Sequence, residues 1–127
     1  MPRGTTLCLR KRLAAALLGL AMVAVFACNS PFIPIPPPNP TFGQVSADNW
    51  SVTMPPDGAA IGATYFILNA RLGSGIIQEA AGDGSVFAQP LQGQVGDSIY
   101  IHWERGTDTS SVLCRPLGPG LVQTSCQ

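Results

Sequence analysis

Residues 98–104, SIYIHWE, alternate apolar Ile99, Ile101 and Trp103 with Tyr100, His102 and Glu104. A period of two fits a strand with one face in a core and the other in water, and it fits no helix. The pattern places Ile99, Ile101 and Trp103 inside and Tyr100, His102 and Glu104 outside. Other segments repeat the theme. Trp50, Val52 and Met54 alternate with Ser51 and Thr53 before Pro55 and Pro56 end the run. Residues 63–70, ATYFILNA, are short and almost wholly apolar, which predicts a central strand buried on both faces. Gly82-Asp83-Gly84 joins residues 76–80 to 86–88 in what reads as a hairpin, since Gly and Asp supply the conformations such turns need. Short strands near 110–114 and 121–126 flank a turn at 116–120, an arrangement that sets Cys114 opposite Cys126. Six or seven short strands punctuated this often predict an all-β, antiparallel sandwich.

A second constraint lies at the N-terminus. Arg10, Lys11 and Arg12 precede an uncharged apolar run that ends at Cys28. The run is about fifteen residues long, shorter than the ~20 needed to span a bilayer, so it reads as an export signal. Ordinary cleavage after Ala27 and an uncleaved anchor are the alternatives to lipid attachment. Residues Val25-Phe26-Ala27-Cys28 resemble the lipobox of bacterial lipoproteins. The resemblance implies a signal peptide over 1–27 and a lipidated Cys28 as the first mature residue. Asn29 stands where an aspartate would imply retention at the inner membrane, so the expected address is the cell envelope, at the outer membrane. With Cys8 in the signal and Cys28 acylated, Cys114 and Cys126 remain to pair as a disulfide in an oxidising compartment.

Residues 28–41 contain prolines 31, 34, 36, 37, 38 and 40. This density forbids helix and leaves polyproline II, so the segment reads as a linker holding a domain over 42–127 some 30–40 Å from the acyl chains, at ~3.1 Å per residue. A ligand for a proline-binding groove is a further reading, and Phe32, Ile33 and Ile35 add apolar surface available to lie against the domain or the membrane interface. Within the domain, Pro56-Asp57-Gly58-Ala59, Gly62-Ala63-Thr64, Gly82-Asp83-Gly84-Ser85, Gly96-Asp97-Ser98 and Thr109-Ser110-Ser111 follow one another in an order that resembles bacterial immunoglobulin-like repeats. That resemblance covers about residues 52–114 and implies an Ig-like sandwich.

Charge excludes one class of partner. Four of the seven basic residues precede Cys28, which leaves Arg71, Arg105 and Arg115 against seven acids, a net charge of −4 with no lysine. Nucleic-acid binding needs clustered cations that this domain lacks. His102 is the one candidate acid–base residue, and no G-x-S-x-G elbow supplies a nucleophile, so the expectation is a protein that is not an enzyme, with no cofactor. Aspartates 48, 57, 83, 97 and 108 sit at turns, where they cap backbone donors, with calcium as the alternative. One histidine and a paired cysteine couple do not make a zinc site. Tyr100, His102 and Glu104 form the candidate binding patch. The expected role is adhesion, assembly or protein interaction at the envelope, with the membrane held through Cys28; a carbohydrate- or peptidoglycan-binding module is the alternative. In that second reading Tyr65, Phe66, Tyr100 and Trp103 are the available aromatics, with Phe66 and Trp103 assigned to the core.

Overall fold

Runs of β-branched and aromatic residues, broken by glycine and proline, make strands throughout the computed structural model, which describes residues 33–127. The signal over 1–27, the lipidation site at Cys28 and the linker as far as residue 32 lie outside the described residues. In chain order the strands are β1 (Thr41–Ser46), β2 (Asn49–Met54), β3 (Thr64–Asn69), β4 (Ser74–Glu79), β5 (Val86–Gln92), β6 (Ser98–Arg105), β7 (Asp108–Thr109), β8 (Leu113–Pro116) and β9 (Gly120–Leu121). They form two antiparallel sheets: sheet A in the order β5-β2-β1-β9, and sheet B in the order β4-β3-β6-β7, with β8 also paired to β6. Setting β1, β2 and β5 against β3, β6 and β7–β8 is the division of strands found in an Ig-like β-sandwich. The expected all-β fold is therefore observed.

The core is the set of inward positions that alternation selects. Trp50, Val52 and Met54 of β2 face Tyr65 and Ile67 of β3 and Ile99, Ile101 and Trp103 of β6, each no more than 1% exposed. Each such side chain contributes roughly 1.5–3 kcal/mol by burial. Trp50 also donates its indole N–H to the Gly93 carbonyl at 3.0 Å, which ties sheet A to the β5–β6 connection.

Tyr65 is the exception. Its hydroxyl is buried without a hydrogen-bond partner, as is the indole nitrogen of Trp103 opposite it on β6. Burial, helped by the negative charge of Asp57, pushes the phenol up to about 12. A buried hydroxyl left unpaired costs free energy, so Tyr65→Phe is expected to stabilise the domain by about 1 kcal/mol in chemical denaturation. The raised value means the folded state stays protonated where the unfolded chain ionises. Stability is thus full below about pH 10, the ordinary tyrosine value, and falls as pH rises toward 12. Tyr65→Phe should flatten that alkaline loss.

Four sequence expectations are corrected. Residues 63–70 are buried on one face only: Tyr65, Ile67 and Asn69 point inward, Leu68 is exposed and Phe66 is half-buried on the outer face. β3 is central within its sheet, but sheet A covers only one side of it. The turn at 82–84 exists, with Gly84 N–H donating to the Ala81 carbonyl at 2.9 Å, yet it closes no hairpin. β4 pairs with β3, and β5 crosses to β2 in the other sheet. Gly84 allows this crossing because it has φ +80° and because a Cβ there would collide with the Asp57 carbonyl of the β2–β3 connection.

The last two corrections concern the ends. β9 pairs with β1, in sheet A, and not with β8. Cys114 and Cys126 are nevertheless bonded, Cα atoms 5.5 Å apart, so the disulfide ties an irregular tail back to β8 without closing a ladder. The proline segment, expected to stand clear as a linker, belongs from Pro34 onward to the compact unit Pro34–Gln127. Pro37 and Pro40 are buried, the Ile35 carbonyl accepts from Ser111 N–H at 3.3 Å, and Asn39 Oδ1 accepts from Arg115 Nε and Nη2 at 3.0 and 2.8 Å. Proline lacks a donor but keeps a carbonyl and an apolar ring, and those suffice to dock against a sheet edge. β1, which the sequence reading did not assign, follows directly.

At the end of the sandwich where β3 runs into β4 and β5 into β6, Asp97 anchors a polar node. Its carboxylate, nearly buried, accepts from Arg71 Nε at 2.6 Å, Arg71 Nη2 at 2.9 Å, Asn69 Nδ2 at 2.8 Å and Gln94 N–H at 2.9 Å. Asn69, fully buried, also donates to the Gln92 carbonyl and accepts from Arg71 N–H. Two connections are thereby held by two side chains.

Candidate interaction surface

The outer face of sheet B collects what alternation turns away from the core. On β6 these are Tyr100, His102 and Glu104, the three residues the sequence places outside. Tyr100 is 39% exposed and lies between Leu68 of β3 and Cys114 of β8. His102 stands opposite Phe66 on β3, their rings stacked 5.0 Å apart at 9°. Cross-strand neighbours sit at about this spacing, so pairing in the ladder is enough to bring the two rings face to face. His102 Nε2 is also 3.4 Å from Glu104 Oε1. The patch is therefore one row along β6, and the fold does bring its members together.

The structure adds three residues that the sequence reading missed. Phe66, assigned to the core, lies on this outer face, and so do Leu68 and Ile77, 44% and 70% exposed. Register explains the grouping: Ile77 of β4 is opposite Phe66, which is opposite His102, giving an apolar row across three strands. A shallow depression of ≈ 340 Å³ lies among Phe66, Leu68, Gly75, Ile77 and His102. Its floor is low because Gly75 carries no side chain; a Cβ there would run into the Ile67 carbonyl of β3.

β4 itself is the outer strand of sheet B. Beyond its ladder to β3 it makes no backbone–backbone hydrogen bond among the described residues. One row of N–H and C=O groups thus faces outward beside an apolar surface, which is a template for another strand.

Three of the turn aspartates have only local partners. Asp57 accepts from Ala59 N–H, Asp83 from the N–H and hydroxyl of Ser85, and Asp108 from Arg105. The Ser85 bonds hold Asp83 below the usual carboxylate range. Among the described residues, no group of three or more His, Cys, Asp or Glu side chains could hold a metal ion, and no helix is long and apolar enough to cross a membrane. No family model matches the chain, nor does any curated protein or solved structure.

Proposed function

We propose that this chain is a lipid-anchored protein of the bacterial cell envelope, at the outer membrane, whose Ig-like domain engages another protein without catalysis. The observation that carries the reading is the open edge of β4 lying beside the exposed row Ile77–Phe66–His102. Apolar side chains this exposed at the rim of a sheet, with Leu68 and Tyr100 adjoining, are a docking surface of the strand-addition kind. Acylation of Cys28 would tether the domain to the bilayer.

Two measurements test the two halves. Palmitate is expected to label the wild-type chain and not Cys28→Ser; label in both, or in neither, refutes the anchor. A photo-crosslinking residue at position 77 should capture a protein in living cells, whereas the same residue at Thr53 on the outer face of sheet A should not. Equal capture at both positions removes the docking surface. Sugar binding draws support from the parallel rings of Phe66 and His102 beside Tyr100 and Glu104. Glycan-array binding abolished by Tyr100→Ala would favour that reading over protein docking.

A further inference from the structure

A two-sheet sandwich has four lateral edges, and in this one three are closed. β5 carries a bulge in which Ser51 faces both Gln89 and Pro90, so the proline removes a donor where the ladder is already broken. β9 is two residues long. The β7–β8 side is covered by the docked proline segment, through Ser111 and Arg115. The fourth edge, β4, lies near β5 of sheet A, with Ser74 and Gly75 beside Pro90, Leu91 and Gln92, but among the described residues no docked segment is bonded to it and its own strand is uninterrupted. Its register on β3 runs unbroken from Thr64↔Glu79 to Asn69↔Ser74, and it contains no proline, no cation and no bulge. Exposed edges invite pairing, and proteins that keep monomeric normally interrupt them.

We propose that β4 pairs antiparallel with β4 of a second copy of this chain across a two-fold axis, with Ile77 opposite Ile77 of the second copy. This names the partner for the surface described above and rests on the docking reading. Directly opposed residues of an antiparallel pair share a face, and a two-fold axis normal to the sheet requires residues of like parity to meet. With Ile77 on the axis, Ile76 meets Gln78 of the second copy, and Glu79 meets its Gly75. Glu79 is the one charged side chain on the strand. Self-pairing therefore sets it against a residue with no side chain, and no like charges oppose each other. The outward row Ile77–Phe66–His102 then continues into the same row of the other copy, covering the side chain that is 70% exposed in one copy. Six-residue edges make a small interface, so the affinity of free chains is of micromolar order. Two copies anchored in one bilayer meet at a higher effective concentration.

The test uses the full-length chain exported into an oxidising compartment. Ile77→Cys is expected to give a covalent dimer on a non-reducing gel, at least about tenfold more than Phe87→Cys, because directly opposed Cβ atoms lie within disulfide reach. Phe87 is 60% exposed on sheet A and controls for chance encounters and for exchange with the native disulfide. Dimer yield equal in the two variants overturns the proposal. Light scattering on the full-length Cys28→Ser chain, which no acyl chain can bring together, should report two copies at about 100 µM, well above the expected affinity. The same chain with Ile77→Lys should report one copy with an unchanged melting temperature. One copy for both chains, or two copies for both, refutes self-pairing. One copy for both together with capture of a different protein at position 77 would sink self-pairing and leave the docking surface standing, and neither result depends on the palmitate outcome.

Discussion

Replacing Asp97 with alanine is expected to destabilise the domain by about 3 kcal/mol, the upper end of the range for hydrogen bonds to a charged group. For a domain of this size that corresponds to a fall in Tm of roughly 12–24 °C. The carboxylate is nearly buried, and its loss takes one of two acceptors from the fully buried Asn69 amide and leaves the Gln94 N–H to solvent. Arg71 behaves differently because its side chain is 48% exposed and regains solvent. Arg71→Ala should cost about 1–2 kcal/mol, since Asp97 keeps its other two donors. Acid sensitivity follows from the same contacts. The Arg71 hydrogen bonds, and after them those of Asn69 and Gln94, hold the Asp97 carboxyl well below the usual carboxylate range, against the opposing effect of burial. A carboxylate depressed in the folded state adds stability that is complete above its unfolded value, about pH 4, and is lost as pH falls toward its folded value. Denaturation between about pH 5 and 2 should therefore weaken the wild-type domain steeply, and Asp97→Asn much less. Asp83 titrates in the same window, so the difference between the two slopes is the informative quantity. A wild-type slope no steeper than that of Asp97→Asn would contradict this account.

Why one part of this fold is legible in the chain and another is not comes down to how different the two faces of each strand are. In β6 the alternation of Ile99, Ile101 and Trp103 with Tyr100, His102 and Glu104 separates apolar from polar, so inside and outside follow directly. In β3 both sets are apolar: Tyr65 and Ile67 face in while Phe66 and Leu68 face out. Period two survives there, but hydrophobicity no longer says which face is buried. That ambiguity and the candidate docking surface have one cause, an apolar outer face. Long-range choices were illegible for another reason. Gly82-Asp83-Gly84 makes a tight turn whether the strands on either side pair or part, and only the positions of β3 and β2 decide between those outcomes. Asp97 was legible as a turn residue capping a backbone donor, which proves to be Gln94 N–H, whereas its main partner, Arg71, lies 26 residues away on another connection. Similarly, nothing near Asn39 records Arg115, which fastens the proline segment from 76 residues downstream.

Removing the Cys114–Cys126 bond should cost about 3 kcal/mol, from the chain entropy of closing a 12-residue separation. The effect should also be uneven across the fold. The bond returns the tail to β8, and beyond it the tail is held by few contacts: Val122 N–H to the Pro40 carbonyl at 3.1 Å, Arg115 Nη1 to Ser125 Oγ at 3.2 Å, and Val122 packed at the core margin. β9 adds a ladder of two residue pairs to β1. So short a strand cannot hold itself in place, and in the Cys114→Ser/Cys126→Ser variant it should exchange its amide hydrogens early. Amides of β6, at the centre of sheet B, should keep protection close to the global stability. Replacing both cysteines avoids a lone thiol that could pair between chains. Arg115 links the two effects, because it bonds the tail at Ser125 and the proline segment at Asn39. Loosening the tail is therefore expected to loosen residues 35–40 as well, uncovering the β7–β8 edge that they protect. The variant should then associate through a second edge, visible as oligomers larger than two that Ile77→Lys reduces to dimers. A loss of under about 1 kcal/mol, with protection of β9 unchanged, would show instead that the docked proline segment alone holds the tail.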